Sequence, residues 1–421
     1  MKIITVNRNY FITGGPEKYL FAFMEGLKDW EFIPFAVDFP QNLKTSYQPY
    51  FVAPPSDQHT NRFDENYMSL WDKLKYAAKN IYSVEARKKL LKLIDETHPQ
   101  AVFFLNAVYF SQSIIDACKK RKVPIIWRLS DFNLICGNYL LYRDGHICTE
   151  CLDYGLGRLR ANRCGGYQRS SSAALVRFMA MKLALHRNVY RHVDYFVCPS
   201  TFTREMMIKG GFPAEKMIYI PTFVRTDPDD KELPKANQFF FVGRISPEKG
   251  LGVLLRAAQM LKSTDWTLVV AGATDSDYAQ SLMASIPDAI RAKIHFDGFV
   301  PQHQVKARIL ESRFVVVPSV WYENMPNVVL EAMALGRPVI ASKLGSLEEM
   351  IKERENGLKF EAGNSEDLAA KIDHLLSEPN RAKEMGNRAK ADMVEYHSPE
   401  GHFNALEDLF NKVSQGEYES L

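Results

Sequence analysis

Short apolar runs, rich in β-branched and aromatic residues, alternate with helical patterns along almost the whole chain. Strands that alternate with helices usually pair in parallel, and the helices cover both faces of the sheet. The alternation therefore predicts an α/β fold built on parallel sheets. The predicted strands are 2–6, 32–37, 101–105, 124–129, 195–198, 216–220, 238–243, 267–271, 293–297, 314–317, 338–341 and 357–360. The predicted helices include 17–28, 84–97, 111–121, 249–262, 303–311 and 365–376.

The length of the chain indicates more than one domain, because 421 residues are too many for a single hydrophobic core. The segment from Pro221 to Asn237 is rich in Pro, Asp and Lys, which is typical of a linker. We therefore expect two doubly wound Rossmann-like domains, 1–220 and 221–396, that face each other across a cleft. The remaining segment, 397–421, carries apolar residues at helical spacing and could pack on either domain, the first included.

The composition argues against several classes of protein. With 46% hydrophobic and 24% charged residues, the chain resembles an ordinary soluble globular protein. A net charge of +3 gives no reason to expect a nucleic-acid partner. The sequence contains no run of 18 apolar residues, so we expect no membrane-spanning helix. The apolar run at residues 1–6 is too short for the core of a signal peptide. We expect a cytoplasmic protein whose six cysteines are mostly reduced.

Two glutamates follow the predicted strand 314–317. Glu323 lies in the loop after the strand, Pro326 suits the first turn of the next helix, and Glu331 lies inside that helix. Open α/β sheets bind ligands at the carboxyl ends of their strands, so two carboxylates so placed can contact different parts of one long polar ligand. Alternatively, both are solvated residues on the face of a helix.

A loop with the chemistry of an anion site follows the predicted strand 238–243. Gly243 allows a sharp turn and the close approach of a ligand. Arg244 offers a planar fork for phosphate oxygens, Lys249 offers a point charge, and the next helix offers N–H groups at its start. Such a site needs no metal ion. The alternative is a surface loop with scattered charges.

A second glycine loop, with Gly14 and Gly15, follows the first predicted strand. It stands where a dinucleotide fingerprint would stand, but the G-x-G-x-x-G spacing is absent. A nicotinamide cofactor is therefore disfavoured. The two glycines either allow a tight turn or bring the backbone close to a substrate.

Several motifs occur together in one order: Gly-Gly-Pro-Glu near the start, Gly-Arg with Glu-Lys-Gly, and two glutamates eight residues apart followed by Ala-Met-Ala-Leu-Gly-Arg-Pro-Val-Ile-Ala-Ser. Val-Cys-Pro-Ser at 197–200 and Gly-Phe-Pro-Ala-Glu-Lys at 211–216 fit the same pattern. In these motifs the chain resembles the family 4 retaining glycosyltransferases of the GT-B fold. The resemblance covers most of residues 1–30 and 195–375.

The resemblance implies a nucleotide-diphosphate sugar as donor and no cofactor required for catalysis. It places Arg244 and Lys249 at the diphosphate, Glu331 at the ribose hydroxyls and Glu323 beside the transferred sugar. Gly14 and Gly15 would face the cleft from the acceptor side. The remaining implied donor-binding residues are Gly243, Asn324, Met325, Pro326 and Asn327.

The resemblance also implies a setting and leaves alternatives open. The acceptor would be a sugar or a lipid-linked sugar, in the synthesis of a cell-surface polysaccharide or of lipopolysaccharide. The protein would then act in the cytoplasm, at the inner face of the membrane if the acceptor is lipid-linked. One alternative is a phosphorylase or a sugar-nucleotide epimerase of the same architecture. Another is a partner protein that binds nucleotide sugars without catalysis.

The chain departs from the family pattern in the first domain. Ser130 stands where the family often has a histidine, and Asp131 follows it. Asp131 is a candidate catalytic residue that would bind a sugar or acceptor hydroxyl, although Ser130-Asp131 could equally be a plain turn. In the second domain, Gly345-Ser346 stands where the family often has two glycines.

Four cysteines occur in an insertion at about 132–170. Their spacing is C-x11-C-x2-C-x12-C, which suits a tetrahedral structural zinc ion. His146 is a substitute ligand, and four unligated thiols are the alternative. The four cysteines are Cys136, Cys148, Cys151 and Cys164.

A basic stretch follows this insertion, since no acidic residue occurs between Asp153 and Asp194. Within it, Leu175 to Val189 has apolar residues at helical spacing. A basic amphipathic helix can lie on an anionic membrane surface, which would suit a lipid-linked acceptor. The alternative is a core helix with a solvated basic face.

Overall fold

The protein is represented by a computed structural model in which residues 1–54, 69–165, 170–226, 232–234 and 236–416 are described. Two six-stranded sheets form its framework, and every strand pair within them is parallel. The strands in chain order are β1 Lys2–Asn7, β2 Glu31–Phe35, β3 Ala101–Asn106, β4 Ile125–Arg128, β5 Tyr142–Arg143, β6 His146–Ile147, β7 Tyr195–Cys198, β8 Met217–Tyr219, β9 Gln238–Val242, β10 Thr267–Ala271, β11 Ile294–Gly298, β12 Phe314–Val317, β13 Val339–Ser342 and β14 Gly357–Phe360.

The strand order of each sheet is that of a doubly wound fold. The first sheet has the order β2-β1-β3-β4-β7-β8 and the second β11-β10-β9-β12-β13-β14. In each sheet the strand order runs outward in opposite directions from one interior pair of strands. This pair is β1 and β3 in the first sheet, and β9 and β12 in the second. Ligands of open α/β sheets bind at such switch points. The predicted fold, two Rossmann-like units of parallel strands, is confirmed.

Helices cover both sheets. Those of the first half are α1 Gly15–Gly26, α2 Leu70–Ile81, α3 Val84–Thr97, α4 Ser113–Arg121, α5 Glu150–Tyr154, α6 Gly157–Ala161, α7 Ser171–His186 and α8 Thr201–Lys209. Those of the second half are α9 Leu251–Ala258, α10 Asp277–Ala284, α11 Asp288–Arg291, α12 Gln302–Leu310, α13 Asn327–Ala334, α14 Ser346–Met350, α15 Ser365–Ser377, α16 Pro379–Tyr396 and α17 Pro399–Ser414. No helix in the described ranges is long and apolar enough to cross a membrane.

Each of the twelve predicted strands has a counterpart, but the antiparallel hairpin of β5 and β6 was not predicted. Its strands are two residues long, too short for an alternating pattern to show. The turn between them, Asp144-Gly145, has positive φ at both residues, which is the preferred geometry of a two-residue hairpin loop. The Asp-Gly pair was therefore the signal that could have revealed it.

The last helix, α17, returns to the first sheet. Its Phe410 ring lies 5.4 Å from the ring of Phe103 on β3 and 6.4 Å from that of Phe23 on α1. A Cβ at Gly26 would lie 2.1 Å from the ring of Phe403, so this glycine permits the close approach of α1 and α17. The chain therefore passes between the two sheets twice.

Two histidines, one before α17 and one within it, hold the connection between the two halves of the chain. His402 contacts the carbonyl oxygen of Pro221 through Nδ1 at 2.6 Å and the hydroxyl of Tyr19 through Nε2 at 2.9 Å. His397 Nδ1 lies 2.8 Å from the carbonyl oxygen of Thr222. The start of the predicted linker is thus fixed by hydrogen bonds, whereas its residues 227–231 and 235 lie outside the described residues.

Candidate active site

The candidate site lies at the carboxyl ends of β9 and β12, at the switch point of the second sheet. The loop after β9 contains a short 3-10 helix, Pro247–Lys249, and Gly250 then adopts a φ of +73°. A Cβ at Gly250 would lie 1.8 Å from the carbonyl oxygen of Pro318, so only glycine permits this approach. The contact brings Lys249 to the segment that follows β12.

The partly exposed Lys249 forms an ion pair with the buried Glu323, with 2.7 Å between Nζ and Oε1. Two further donors reach the same Oε1, the Ser319 hydroxyl at 2.7 Å and the Trp321 indole N–H at 2.9 Å. Burial raises the pKa of Glu323, but the charge of Lys249 and the three hydrogen bonds outweigh it, so this pKa lies below its ordinary value. Glu323 is therefore a fixed, ionised acceptor of hydrogen bonds.

Arg244 lies on the same loop as Lys249, and its side chain is half exposed. Its Nη2 lies 3.2 Å from Oε1 of the buried Glu248, which also accepts a hydrogen bond from Ser246 at 2.7 Å. The carbonyl of Glu248 in turn accepts the N–H of Val320 at 2.9 Å, which fastens the loop to the segment after β12. Two cations are thus presented on one fixed loop.

Gly243 lies at a bend of the chain directly after β9. Gly243 does not have a positive φ, and a Cβ there would meet only the ring of Phe241, at 3.9 Å. The turn of this loop requires glycine at Gly250 instead, where both the positive φ and the contact with Pro318 exclude a side chain. The approach of a ligand remains as a reason for glycine at position 243.

Glu331 belongs to a separate network that includes a residue of the first half of the chain. Its Oε1 accepts a hydrogen bond from Gln302 at 2.7 Å, and Gln302 accepts one from Lys18 on α1. Burial raises the pKa of Glu331, and the Lys18 charge and the Gln302 hydrogen bond oppose the rise only in part. The structure does not join Glu323 and Glu331 by a hydrogen bond, and their described partners differ.

The helix that contains Glu331, α13, begins at Asn327, one residue later than predicted, with Pro326 as its N-cap. Pro326 has no N–H, so the N–H groups that this end could offer to an anion belong to the first turn of the helix and to Asn324 and Met325 before it. Met325 also packs beside the apolar core of the second sheet.

Asn324 links the two halves of the chain. Its side-chain amide donates to the carbonyl oxygen of Leu129, at the end of β4, at 3.0 Å. Its Oδ1 accepts a hydrogen bond from the hydroxyl of Thr203 on α8. The Asn324 side chain is thus held by the first half of the chain, and only its backbone is available to the ligand that the sequence predicted.

The predicted glycine loop faces the start of α13. A Cβ at Gly15 would lie 3.4 Å from Nδ2 of Asn327, so Gly15 lies directly across the cleft from that residue, and Gly14 precedes it as the N-cap of α1. The buried carboxylate of Glu17 fixes this loop. It accepts hydrogen bonds from Asn7 and Asn9 at 3.2 Å each and from Thr13 at 2.9 Å. The asparagines were missed as site residues, although polar residues directly after a strand were the available signal.

Ser130 and Asp131 follow β4 and line a small cavity with residues at the carboxyl end of β3, among them Asn106. Oδ1 of Asp131 accepts the N–H of Asn133 at 2.8 Å. Burial raises the pKa of Asp131, while this hydrogen bond and the charge of Arg177 partly offset the rise. Leu129 accepts the hydrogen bond from Asn324, which belongs to the loop of Glu323. Ser130 and Asp131 follow Leu129 directly, so they lie next to the contact between that loop and the end of β4.

The four cysteines of the insertion lie in one neighbourhood. The pKa of Cys151 is raised to about 12, first by burial and then by the three other cysteines. A Cβ at Gly137, next to Cys136, would lie 2.7 Å from the carbonyl oxygen of Cys164. Within the described residues, however, no three His, Cys, Asp or Glu side chains are arranged to hold a metal ion. The structural zinc ion remains a prediction.

Three residues that hold Glu323 were not predicted as such. Ser319 and Trp321 donate to its carboxylate, and Ser346 donates to its backbone carbonyl oxygen at 2.8 Å. Trp321 also places its ring 5.0 Å from Nζ of Lys249. From the sequence, Gly345-Ser346 was noted only because the family often has two glycines there, and no contact with Glu323 was predicted.

Two doubly wound sheets, with a cationic loop and a helix N-terminus at the switch point of the second, define the GT-B class. Solved structures bear out this class at the level of the fold. Sucrose-phosphate synthase from Thermosynechococcus elongatus has a TM-score of 0.69 at 15% identity, over 99% of both chains. HepE from Anabaena in complex with UDP has a TM-score of 0.68 at 17% identity, over 98% of this chain and all of that one.

Sequence comparison identifies the family. Residues 44–228 match Glycosyltransferase Family 4, and residues 224–392 match Glycosyl transferases group 1. An uncharacterized glycosyltransferase of Methanocaldococcus jannaschii is 38% identical over 270 residues, 60% of this chain and 67% of that protein. The chain belongs to the family 4 glycosyltransferases of the GT-B fold.

Proposed function

We propose that the protein is a retaining glycosyltransferase that moves a sugar from a nucleotide diphosphate to an acceptor hydroxyl. The observation that carries the proposal is the pair of Lys249 and Glu323, held beside the N-terminal end of α13. A cation, a carboxylate and unpaired helix N–H groups at one point suit a diphosphate joined to a sugar.

The donor would bind along this surface. Lys249 and Arg244 take the diphosphate, and Glu331 takes the ribose hydroxyls. As the bond to the sugar breaks, the diphosphate gains negative charge, and fixed cations stabilise that charge without reorganisation. Glu323 accepts hydrogen bonds from sugar hydroxyls, for which an ionised carboxylate with a lowered pKa is suited. These cations neutralise the diphosphate, so the proposed chemistry requires no metal ion.

The acceptor would approach from the first half of the chain, between Gly15 and Asp131. Asp131 would orient the acceptor hydroxyl, because its carboxyl lies at the carboxyl end of β4, next to the contact between Leu129 and Asn324. In the front-face mechanism of the family, an oxygen of the leaving phosphate takes the acceptor proton. We propose a cell-surface polysaccharide or lipopolysaccharide intermediate as the acceptor and the cytoplasm as the site of reaction.

The donor is testable before the acceptor is known. Thermal unfolding is measured with a panel of nucleotide-diphosphate sugars, since a ligand of the folded state raises the melting temperature. The selected donor is then used in a transfer assay, and NMR of the product reports its anomeric configuration. Retention supports the proposal, and inversion contradicts it.

Three results distinguish the alternatives. Turnover that requires inorganic phosphate indicates a phosphorylase, and isomerisation of the donor without release of nucleotide indicates an epimerase. Donor binding by calorimetry without transfer to any polysaccharide-derived acceptor indicates a binding partner. Each of these results contradicts the proposed reaction.

A further inference from the structure

An exposed apolar face occurs on α2, in the first half of the chain. Leu70 and Trp71 are each 74% exposed, and Leu74 is 53% exposed. The opposite side of the helix is anchored, because the ring of Tyr76 lies 5.7 Å from that of Tyr109. Large apolar residues exposed together mark an interaction surface rather than ordinary solvated helix.

Exposed apolar residues also occur on the neighbouring helices. α2 packs against α7, on which Leu175 and Met179, one turn apart, are each 40% exposed. α7 packs in turn against α6, and α6 against α5, whose Tyr154 is 71% exposed. We define Leu70, Trp71, Leu74, Leu175 and Met179 as the apolar patch.

Basic residues occur on the two helices that carry the apolar patch and on or beside α6, and α2 also carries the acidic Asp72. Lys73 and Lys75 are exposed on α2, and Lys182 is exposed one turn after Met179. Three exposed arginines lie on or beside α6: Arg158, Arg160 and Arg163. Because no acidic residue occurs between Asp153 and Asp194, the positive charge around α6 and α7 is not balanced locally along the chain.

We propose that the apolar patch docks on an anionic lipid bilayer. Trp and aliphatic side chains enter the boundary between headgroups and acyl chains, while the Lys and Arg side chains bind lipid phosphates. A second copy of the chain fits less well, since a two-fold contact through this patch would bring its cations against one another. An anionic membrane satisfies both the apolar and the charged parts of the surface.

The patch is connected to the candidate acceptor side. Arg177 on α7 donates to the backbone and side-chain oxygens of Asn133. The N–H of Asn133 donates to Oδ1 of Asp131 at 2.8 Å. A helix of the docking surface is therefore in hydrogen-bonded contact with the loop of Asp131, and docking would bring that loop near the bilayer. This step rests on the proposed function and specifies its acceptor as lipid-linked.

The test uses flotation of the full chain with two kinds of vesicle. One kind is phosphatidylcholine alone, and the other is an equimolar mixture of phosphatidylcholine and phosphatidylglycerol. We expect binding to the mixed vesicles, and binding should weaken as salt is raised, because exposed charges are screened. Binding to both kinds equally, or to neither at low salt, overturns the proposal.

Variants locate the surface. Trp71→Ser with Leu74→Ser should lower vesicle binding by about tenfold or more, as expected for the loss of two inserted side chains. Lys73→Glu with Lys75→Glu should do the same, since each basic residue at an anionic surface contributes about fivefold. The matched controls are Val394→Ser and Lys383→Glu, at exposed positions of α16, and these should bind as the native chain does.

Two readouts keep this inference separate from the proposed function. Donor binding by calorimetry should be unchanged in the patch variants; if the native chain binds vesicles but no donor, the docking surface stands and the proposed reaction fails. Sedimentation velocity follows oligomeric state. A patch variant that changes the oligomeric state, or that binds vesicles as the native chain does, overturns membrane docking through this patch.

Discussion

The hydroxyl of Ser346 donates to the backbone carbonyl oxygen of Glu323 at 2.8 Å, and both residues are buried. Ser346 thus positions the loop that carries the Lys249 and Glu323 ion pair. Next to it, Gly345 has a φ of +56°, and a Cβ there would lie 2.9 Å from the ring of Tyr322. Two adjacent residues far along the chain therefore fix the segment before Glu323.

Ser346→Ala removes this hydrogen bond and leaves a buried carbonyl oxygen without that donor. We expect kcat for sugar transfer to fall about tenfold or more, because small displacements of catalytic groups are costly. Ser342→Ala is the matched control: Ser342 is also buried, and its hydroxyl has no hydrogen-bond partner among the described residues. Equal kcat values for the two variants would contradict a positioning role for Ser346.

Lys249→Ala should destabilise the protein as well as weaken donor binding, because it leaves Glu323 buried without its counter-charge. The loss of stability should be about 3 kcal/mol in urea unfolding. Adding Glu323→Gln removes the buried charge, so the double variant should recover much of the stability but no transfer activity. Additive stability losses in this double-mutant cycle would show that the two side chains do not interact.

The buried His402 predicts a loss of stability in acid. Burial lowers its pKa from 6.5 to about 3, whereas the unfolded chain takes up the proton near 6.5. The native state is therefore favoured above pH 6.5 and loses stability as the pH falls towards 3, by about 2 kcal/mol at pH 5 from this residue. His397, whose pKa burial also lowers, acts in the same direction.

His402→Gln should flatten this dependence between pH 7 and pH 5, as measured by urea unfolding at about half-unit steps. His295→Gln, at an exposed position of β11, serves as the control and should keep the native slope. An unchanged slope in His402→Gln would refute the assignment.

Glu349 on α14 caps the N-terminus of α8 from the other half of the chain. Its carboxylate accepts the N–H groups of Thr201 and Phe202 at 3.0 and 3.1 Å. We expect Glu349→Ala to open the cleft, because it removes a contact of about 1 kcal/mol between the two halves. Small-angle scattering should show a larger radius of gyration. The neighbouring exposed Glu348→Ala should not, and an equal effect of both variants would contradict the prediction.

The four cysteines of the insertion predict about one zinc ion per chain by elemental analysis of the purified protein. Cys151→Ser should lower the zinc content and destabilise the insertion to proteolysis, because the four thiols would no longer complete a tetrahedral site. Cys118→Ala, outside the insertion, should leave the zinc content unchanged. Protein without zinc, prepared in the absence of chelators, would exclude the structural zinc.

The sequence by itself determined the parallel α/β architecture and the position of the cationic loop. Both are local in the chain: alternation is a property of neighbouring residues, and the loop from Gly243 to Gly250 carries its chemistry within eight positions. The pairing of successive strands then follows from their order in the chain, because a strand–helix–strand unit has few ways to pack. Lys249 and Glu323 were each predicted as site residues, but their ion pair was not predicted, because the two residues lie 74 positions apart in the chain.

Only the tertiary structure decided which residues hold the site together. Ser346, Asn324 and Glu349 each act through one or two hydrogen bonds to distant segments, and no periodicity or local motif specifies such bonds. The same is true of α17, whose apolar face could have covered either sheet and packs on the first. Its partner was set by how well Phe403 and Phe410 fit against α1 and β3, which depends on the shape of a surface assembled from separate parts of the chain.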